Sequence, residues 1–222
     1  MLRRGLFKPS NNIVIIMDDE SYFTLDGSDS YGNSFYHSYE GLELLDSVKY
    51  RMVKNFPEKV MVWVALSARG ISEPFIIKSG NAINYDIYFN ECIKKRLVKF
   101  IKEHHSDDNF VFWPDLASSH YAKRTLTELE SLNIPVVPKD SNPPNVPQLL
   151  PIEHYWSILK SNVYKNEWTA KSIKHLKQRI RSTIKKTSAQ TYRNLMRGIK
   201  TDTRKAADGV VLSIINLFYF EV

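Results

Sequence analysis

Ile13-Val14-Ile15-Ile16-Met17-Asp18-Asp19-Glu20 runs from a β-branched apolar stretch straight into three acids. A run of this kind without polar alternation predicts a central strand covered on both faces. Phe110-Val111-Phe112-Trp113-Pro114-Asp115 repeats the design, so both strands are expected to deliver a carboxylate at their C-terminal ends. Pro151-Ile152-Glu153-His154-Tyr155-Trp156 instead predicts a helix, with proline in its first turn and an acid beside it. Successive strand residues face opposite ways, so of Asp18 and Asp19 only one can line a common site, and Asp19 is taken as that one.

Open α/β sheets place their sites at the carboxyl ends of the strands, where Asp19 and Asp115 are expected to meet. With Glu153 they form an all-oxygen ligand set suited to Mg²⁺ or Mn²⁺, which want carboxylates where zinc would want His or Cys. Two such ions roughly 3.5–4 Å apart can activate a water or 3′-hydroxyl and stabilise the leaving oxygen of a phosphodiester. Each acid taken singly also reads as a turn residue, a helix cap or a partner of the helix dipole. On the residues alone, a metal-dependent nuclease site and three unrelated acids stand level.

The remaining sequence sets bounds. A chain of 222 residues fits one domain with extensions. Its net charge of +7 is uneven: residues 160–205 hold 14 Lys and Arg against Glu167 and Asp202, a net +12, which leaves −5 for the rest. A basic C-terminal third suits a polyanion such as DNA, and equally a solvated helix surface. Cys92 stands alone, which excludes a disulfide framework within the chain and fits a reducing compartment. No signal-peptide pattern opens the sequence, and the apolar 210–222 segment is shorter than the roughly 18 residues a membrane helix needs, so no membrane partner is expected.

Read in order, the chain predicts a strand at 12–17, an antiparallel neighbour beginning at Tyr22-Phe23-Thr24-Leu25, and a long loop over 26–57 with a short helix near 42–48. Strands follow at 59–67 and 73–77, then a helix from Asn84 to about His104, a short strand at 110–113, a helix over 118–132 and a strand at 134–137. Pro138, Pro143, Pro144 and Pro147 interrupt regular structure until the helix that opens at Pro151 and runs to about Tyr164. Two more helices begin after Trp168-Thr169 and near Ser188. In the first, Ile173, Leu176, Ile180 and Ile184 face inward while Lys174, Arg181 and Lys185 share another face. The expected fold class is α/β, a mixed sheet flanked by helices with extra C-terminal helices.

The acids also sit inside a recognisable pattern. Asp19-Glu20, then Asp115-Leu116-Ala117-Ser118-Ser119-His120, then Pro147-Gln148-Leu149-Leu150-Pro151-Ile152-Glu153-His154-Tyr155-Trp156-Ser157-Ile158-Leu159-Lys160 resembles the catalytic domain of Tc1/mariner-type transposases, DDE superfamily endonucleases. Val60-Met61-Val62-Trp63 is similar to a further segment of that family. The resemblance covers nearly all of residues 12–200 and implies a ribonuclease H-like, mixed five-stranded sheet. It implies Asp19, Asp115 and Glu153 as catalytic and metal-binding acids, with 37 residues between the last two, a spacing the family uses. It implies two Mg²⁺ or Mn²⁺ ions, cleavage and strand transfer at transposon ends, and a location in the nucleus. The partners it implies are the double-stranded DNA of transposon inverted repeats and target, and a second copy of the chain.

On this comparison the chain divides into an N-terminal remnant (1–11), a DDE catalytic domain (12–166) with a clamp-like loop at 26–57, basic C-terminal helices (167–205) and an apolar tail (206–222). His120, Lys160, Lys174, Arg181 and Lys185 are the nucleic-acid-binding candidates, and Trp156 is expected in the core. Family members carry a helix-turn-helix region ahead of the catalytic domain, where this sequence has about a dozen residues, so a catalytic-domain fragment or a decayed copy is expected.

Leu116, Gln148 and Leu150 replace polar residues of the family pattern, and Pro114 stands where a polar residue is usual. Lost polar neighbours weaken metal placement. They motivate the alternative of a catalytically inactive, transposase-derived nucleic-acid-binding protein; a cellular ribonuclease H-like nuclease of another family is a third reading.

Overall fold

A computed structural model describes residues 13–28, 57–80, 83–142 and 150–197. The expected helix at 42–48, most of the 26–57 loop, Gln148, and the segments 1–11 and 206–222 lie outside the described residues. Five strands form the sheet: β1 (Val14–Thr24), β2 (Lys59–Ser67), β3 (Gly70–Ile71), β4 (Phe75–Lys78) and β5 (Phe110–Trp113). β2 pairs antiparallel with β1 on one side and with both β3 and β4 on the other, while β1 and β5 run parallel.

β1 is longer than the sequence pattern implied. Tyr22, Phe23 and Thr24 start no new strand but extend β1, because β2 pairs with it as far as Thr24 opposite Lys59. On its other edge β1 meets β5 only as far as Met17 opposite Trp113. Asp19 therefore lies in mid-strand, not at a strand end. Among the described residues β1 has no strand partner on that side beyond Met17, and this step in the sheet is where the acids gather.

The faces of β1 divide the core. Met17 and Phe23 point to one side, with Val60, Val62, Val64 and Leu66 of β2; Ile16 points to the other, with Trp63 and Ala65. The second side is covered by α1, a continuous helix assembled from Tyr85–Ile87, a π-helical stretch Tyr88–Leu97 and Val98–His104. Asn84 caps it by accepting a hydrogen bond from the Ile87 backbone N–H at 2.9 Å. The wider π turn brings Tyr88, Phe89, Cys92, Ile93 and Leu97 inward together.

The first side is covered by α3 (Pro151–Val163) and α4 (Ile173–Lys186). Leu176, Ile180 and Ile184 of α4, with Tyr192 and Met196 of a helical stretch at 189–197, share one core with the sheet, so the helices after 167 are built into that core.

Two further expectations change. The helix placed at 118–132 is α2, Lys123–Ser131, because Asp115 Oδ1 takes the Ala117 N–H at 2.9 Å and His120 N–H bonds back to Ala117 at 3.0 Å, which holds 115–121 as turns. The strand placed at 134–137 is a single parallel bridge of Val136 to Phe112; Pro135 has no N–H to extend a ladder. At Gly27, φ is +70° and a Cβ would stand 2.7 Å from the Tyr164 ring, so only glycine lets the chain leave β1 there.

Candidate metal centre

The step between β1 and β5 brings carboxylates together. Asp19 and Glu20 flank the β1 backbone, and Asp115 follows β5 by two residues; one oxygen from each falls in a group lying within 4.8 Å of one another. Sequence reasoning named Asp19 and Asp115 and passed over Glu20, although the Asp-Glu pair was its signal. Neighbours on a strand point apart, yet at the open edge of β1 both side chains reach the same corner.

Glu153, in the first turn of α3, stands outside that tight group. It is near enough to act electrostatically on Asp19. Burial raises the Asp19 pKa, the Trp156 indole opposes the rise, and the charges of Glu153 and Asp115 add to it, leaving it at about 8. Trp156 follows Glu153 by three residues on the same helix face. Its Nε1–H donates to Asp19 Oδ2 at 2.8 Å, so one helix carries an acid and also fixes one oxygen of another. Trp156 is core, as expected, with its ring edge-on to Phe23.

Beneath the cluster lies Asp18, 2 % exposed. Tyr88 O–H (2.7 Å) and Trp63 Nε1–H (2.9 Å) both donate to its Oδ2, while Oδ1 is without a hydrogen-bond partner. Burial pushes its pKa to about 7, with His120 opposing the rise and Asp115 and Glu20 adding to it. These donors lie 45 and 70 residues away in sequence, so no local pattern announces them.

His120, a nucleic-acid-binding candidate on the sequence, is 1 % exposed and faces inward. Its ring stacks on Tyr88 at 3.9 Å, Nδ1 forms an ion pair with Asp115, and Nε2 stands 3.7 Å from Glu20. Burial alone would lower its pKa, but Asp115, Glu20 and Asp18 outweigh that and raise it to about 10. Asp115 moves the other way: its burial is overcome by His120, and its pKa is lowered. His120 thus pairs with two of the acids, and its burial turns it away from the protein surface.

One imidazolium set against Asp18, Asp19, Glu20, Asp115 and Glu153 leaves surplus negative charge. A divalent cation would relieve the repulsion that raises Asp19, and the donors are all carboxylate oxygens of the kind hard cations take. The residues present therefore fit a Mg²⁺ or Mn²⁺ ion.

The polar neighbours that the sequence lacks are partly supplied from elsewhere. Asn142, which sequence reasoning did not single out, accepts the Trp113 indole N–H at 2.9 Å and donates to the Pro114 carbonyl at 2.8 Å and to the Tyr121 hydroxyl at 2.9 Å. It bolts the turn before Asp115 in place. Leu150 packs against the core and its carbonyl accepts the Glu153 N–H at 3.0 Å.

Of the basic candidates, Lys174, Arg181 and Lys185 lie on the exposed side of α4, opposite buried Leu176, Ile180 and Ile184. Lys160 is half-buried on α3, its ammonium 5.5 Å over the Phe23 ring. No described helix is long and apolar enough to cross a membrane.

No protein-family profile matches the chain. It is 29% identical over 193 residues to the transposable element Tc3 transposase of Caenorhabditis elegans, an alignment covering 84% of this chain and 53% of that protein. The chain thus spans about half the length of the curated relative it matches. Among solved structures it is similar to the Mos1 transposase paired-end complex with left transposon end, at a TM-score of 0.71 and 18% identity over 88% of this chain and 55% of that one. It is similar to the Mos1 mariner paired end complex with Mn, at 0.71 and 19% over 93% and 56%. To the catalytic domain of Mos1 mariner transposase the TM-score is 0.62 at 17% identity, over 93% of this chain and 84% of that one. The mixed five-stranded sheet with its flanking helices is that ribonuclease H-like fold.

Proposed function

We propose, from the premise that sequence and fold make this chain a relative of the Tc1/mariner-type transposase catalytic domains, that it cuts DNA at transposon ends and joins the freed 3′-hydroxyl to target DNA. The observation that carries this reading is the convergence of Asp19, Glu20 and Asp115 within 4.8 Å, with Glu153 alongside.

In the proposed site Asp19, Glu20 and Asp115 would hold Mg²⁺ or Mn²⁺, and Glu153 would contribute a further carboxylate to a second ion. When bound, two such ions would lower the pKa of the attacking water or 3′-hydroxyl and stabilise the leaving oxygen. The protein's own groups do the positioning. Trp156 holds one oxygen of Asp19 by its indole N–H. His120 pins Asp115 and Glu20 in their rotamers. Lys174, Arg181 and Lys185 supply an exposed basic face for phosphates of the duplex. A second copy of the chain and a nuclear location belong to the same proposal.

Leu116 and Leu150, apolar where the family is polar, favour a second reading in which the fold binds DNA without cutting it. One experiment separates the two. Supercoiled plasmid should be nicked by the purified protein in Mg²⁺ or Mn²⁺ and not in EDTA. Asp115→Asn should slow nicking about a thousandfold, the equivalent of several kcal/mol of lost charge stabilisation. Nicking that survives this change, or never depends on metal, rejects the nuclease reading and leaves the binding one.

A further inference from the structure

A cleft of about 970 Å³ shares Glu20 with the acid cluster. Its volume is that of a site for a nucleotide-sized ligand, since small-molecule pockets run from about 300 to 1,000 Å³. Tyr22, which also lines it, follows Glu20 by two residues along the same face of β1. Across from them stand Lys59 at the start of β2 and Lys78 at the end of β4, and Lys160 joins from α3.

The feature that calls for an explanation is Tyr22. It is 44% exposed, one of the few large apolar side chains so placed among the described residues. The Lys59 ammonium lies 4.3 Å from its ring centroid, which holds the ring with positive charge against one face. Lys78 pairs with Glu58 at 2.9 Å, but both side chains are more than half exposed, so the pair is weak and a phosphate can compete for the lysine. An exposed aromatic ring flanked by lysines in a cleft is the combination that binds single-stranded nucleic acid, the ring stacking on a base and the ammonium groups meeting phosphates. Solvated surface lysines alone would need no ring, and a core tyrosine would not be exposed.

We propose that this cleft is a binding site for an unpaired DNA strand, with a base stacked on Tyr22 and its phosphates held by Lys59 and Lys78, next to the acid cluster. The inference rests on the reading above that the cluster acts on DNA, and it names the form of DNA that lies beside it.

The test uses the full 222-residue chain in EDTA, where no metal-dependent cutting takes place. Anisotropy is measured with a labelled oligo-dT strand and with a labelled blunt duplex. Tyr22→Ala should weaken binding of the strand about tenfold, in line with the loss of one stacked base, and leave the duplex within about twofold of the parent. Tyr22→Phe should bind like the parent, because the ring and not the hydroxyl does the stacking. Lys59→Ala should lower the salt dependence of strand binding by about one phosphate contact. Tyr22→Leu, which keeps apolar bulk without a π face, serves as a second variant and should match Tyr22→Ala. Strand binding unchanged in both the Ala and Leu variants overturns the proposal, as does an equal loss on strand and duplex. Because strand binding is read without metal and nicking is read through Asp115, either reading can fail while the other stands.

Discussion

Two buried histidines, one beside Glu20 of β1 and one beside Ser67 of β2, each touch a carboxylate. His120 sits between Asp115 and Glu20. His105 sits between Ser67 and Asp108: Nε2 meets Ser67 Oγ at 2.9 Å, Nδ1 meets Asp108 Oδ2 at 2.7 Å, and Arg69 pairs with the same aspartate. In connectivity the second group is a Ser-His-Asp array, the arrangement of a nucleophilic hydrolase. Yet Ser67 is fully buried, its Oγ also accepts the Arg69 N–H at 3.1 Å, and the charge of Asp108 is balanced by Arg69. A substrate cannot reach the hydroxyl and no charge is left over. Around His120 the reverse holds: three half-buried acids at a break in the sheet gather beside a single histidine among the described residues. Access and unbalanced charge, more than the types of residue assembled, distinguish the proposed metal site from a structural clasp.

That contrast can be broken experimentally. Glu20→Gln should weaken Mn²⁺ affinity about 10- to 100-fold, the range for disturbed metal surroundings, when followed by the ion's magnetic resonance. Ser67→Ala should leave Mn²⁺ affinity unchanged and cost about 1–2 kcal/mol of stability by stripping partners from His105 and the Arg69 N–H. If Ser67→Ala lowers metal affinity as much as Glu20→Gln, the two regions are not separate.

Trp156→Phe sharpens the comparison on the site side. It keeps the ring against Phe23 but removes the N–H that Asp19 accepts. Mn²⁺ affinity should fall about tenfold, at the lower end of such effects, with the melting temperature little changed. A large loss of stability with metal affinity intact would make Trp156 only a packing residue.

The smallest expected effect is in the pH dependence. Burial holds the His105 pKa below its ordinary value, against the pull of Asp108 and with Arg69 adding to the decrease. The unfolded chain therefore binds the proton first, so the contribution of His105 to stability is complete above about pH 6.5 and is lost as pH falls through the folded-state pKa. His105→Gln should flatten that part of the stability profile in denaturant titrations across pH 4–7. A profile unchanged by this substitution would show that His105 does not carry the acid sensitivity of the clasp.

The sequence by itself determined the elements with strong periodicity and offered the candidate acids. The apolar β-branched run before Asp18, the helical spacing from Ile87 to Ile101, and Pro151 opening a helix that carries Glu153 are local patterns, written in side chains a few residues apart. Asp19, Asp115 and Glu153 could be picked out for the same reason. What only the tertiary structure decided are relations across distance. Pairing with β2 carries β1 on to Thr24, so Asp19 stands in mid-strand at the step beyond β5, where Glu20 can join it. Trp63, Tyr88 and Trp156 find Asp18 and Asp19 from 45, 70 and 137 residues away. His120 faces inward, between Asp115, Glu20 and the Tyr88 ring. Balances of burial against charge in such contacts depend on what each group faces once the chain has closed, and neither spacing nor composition encodes them.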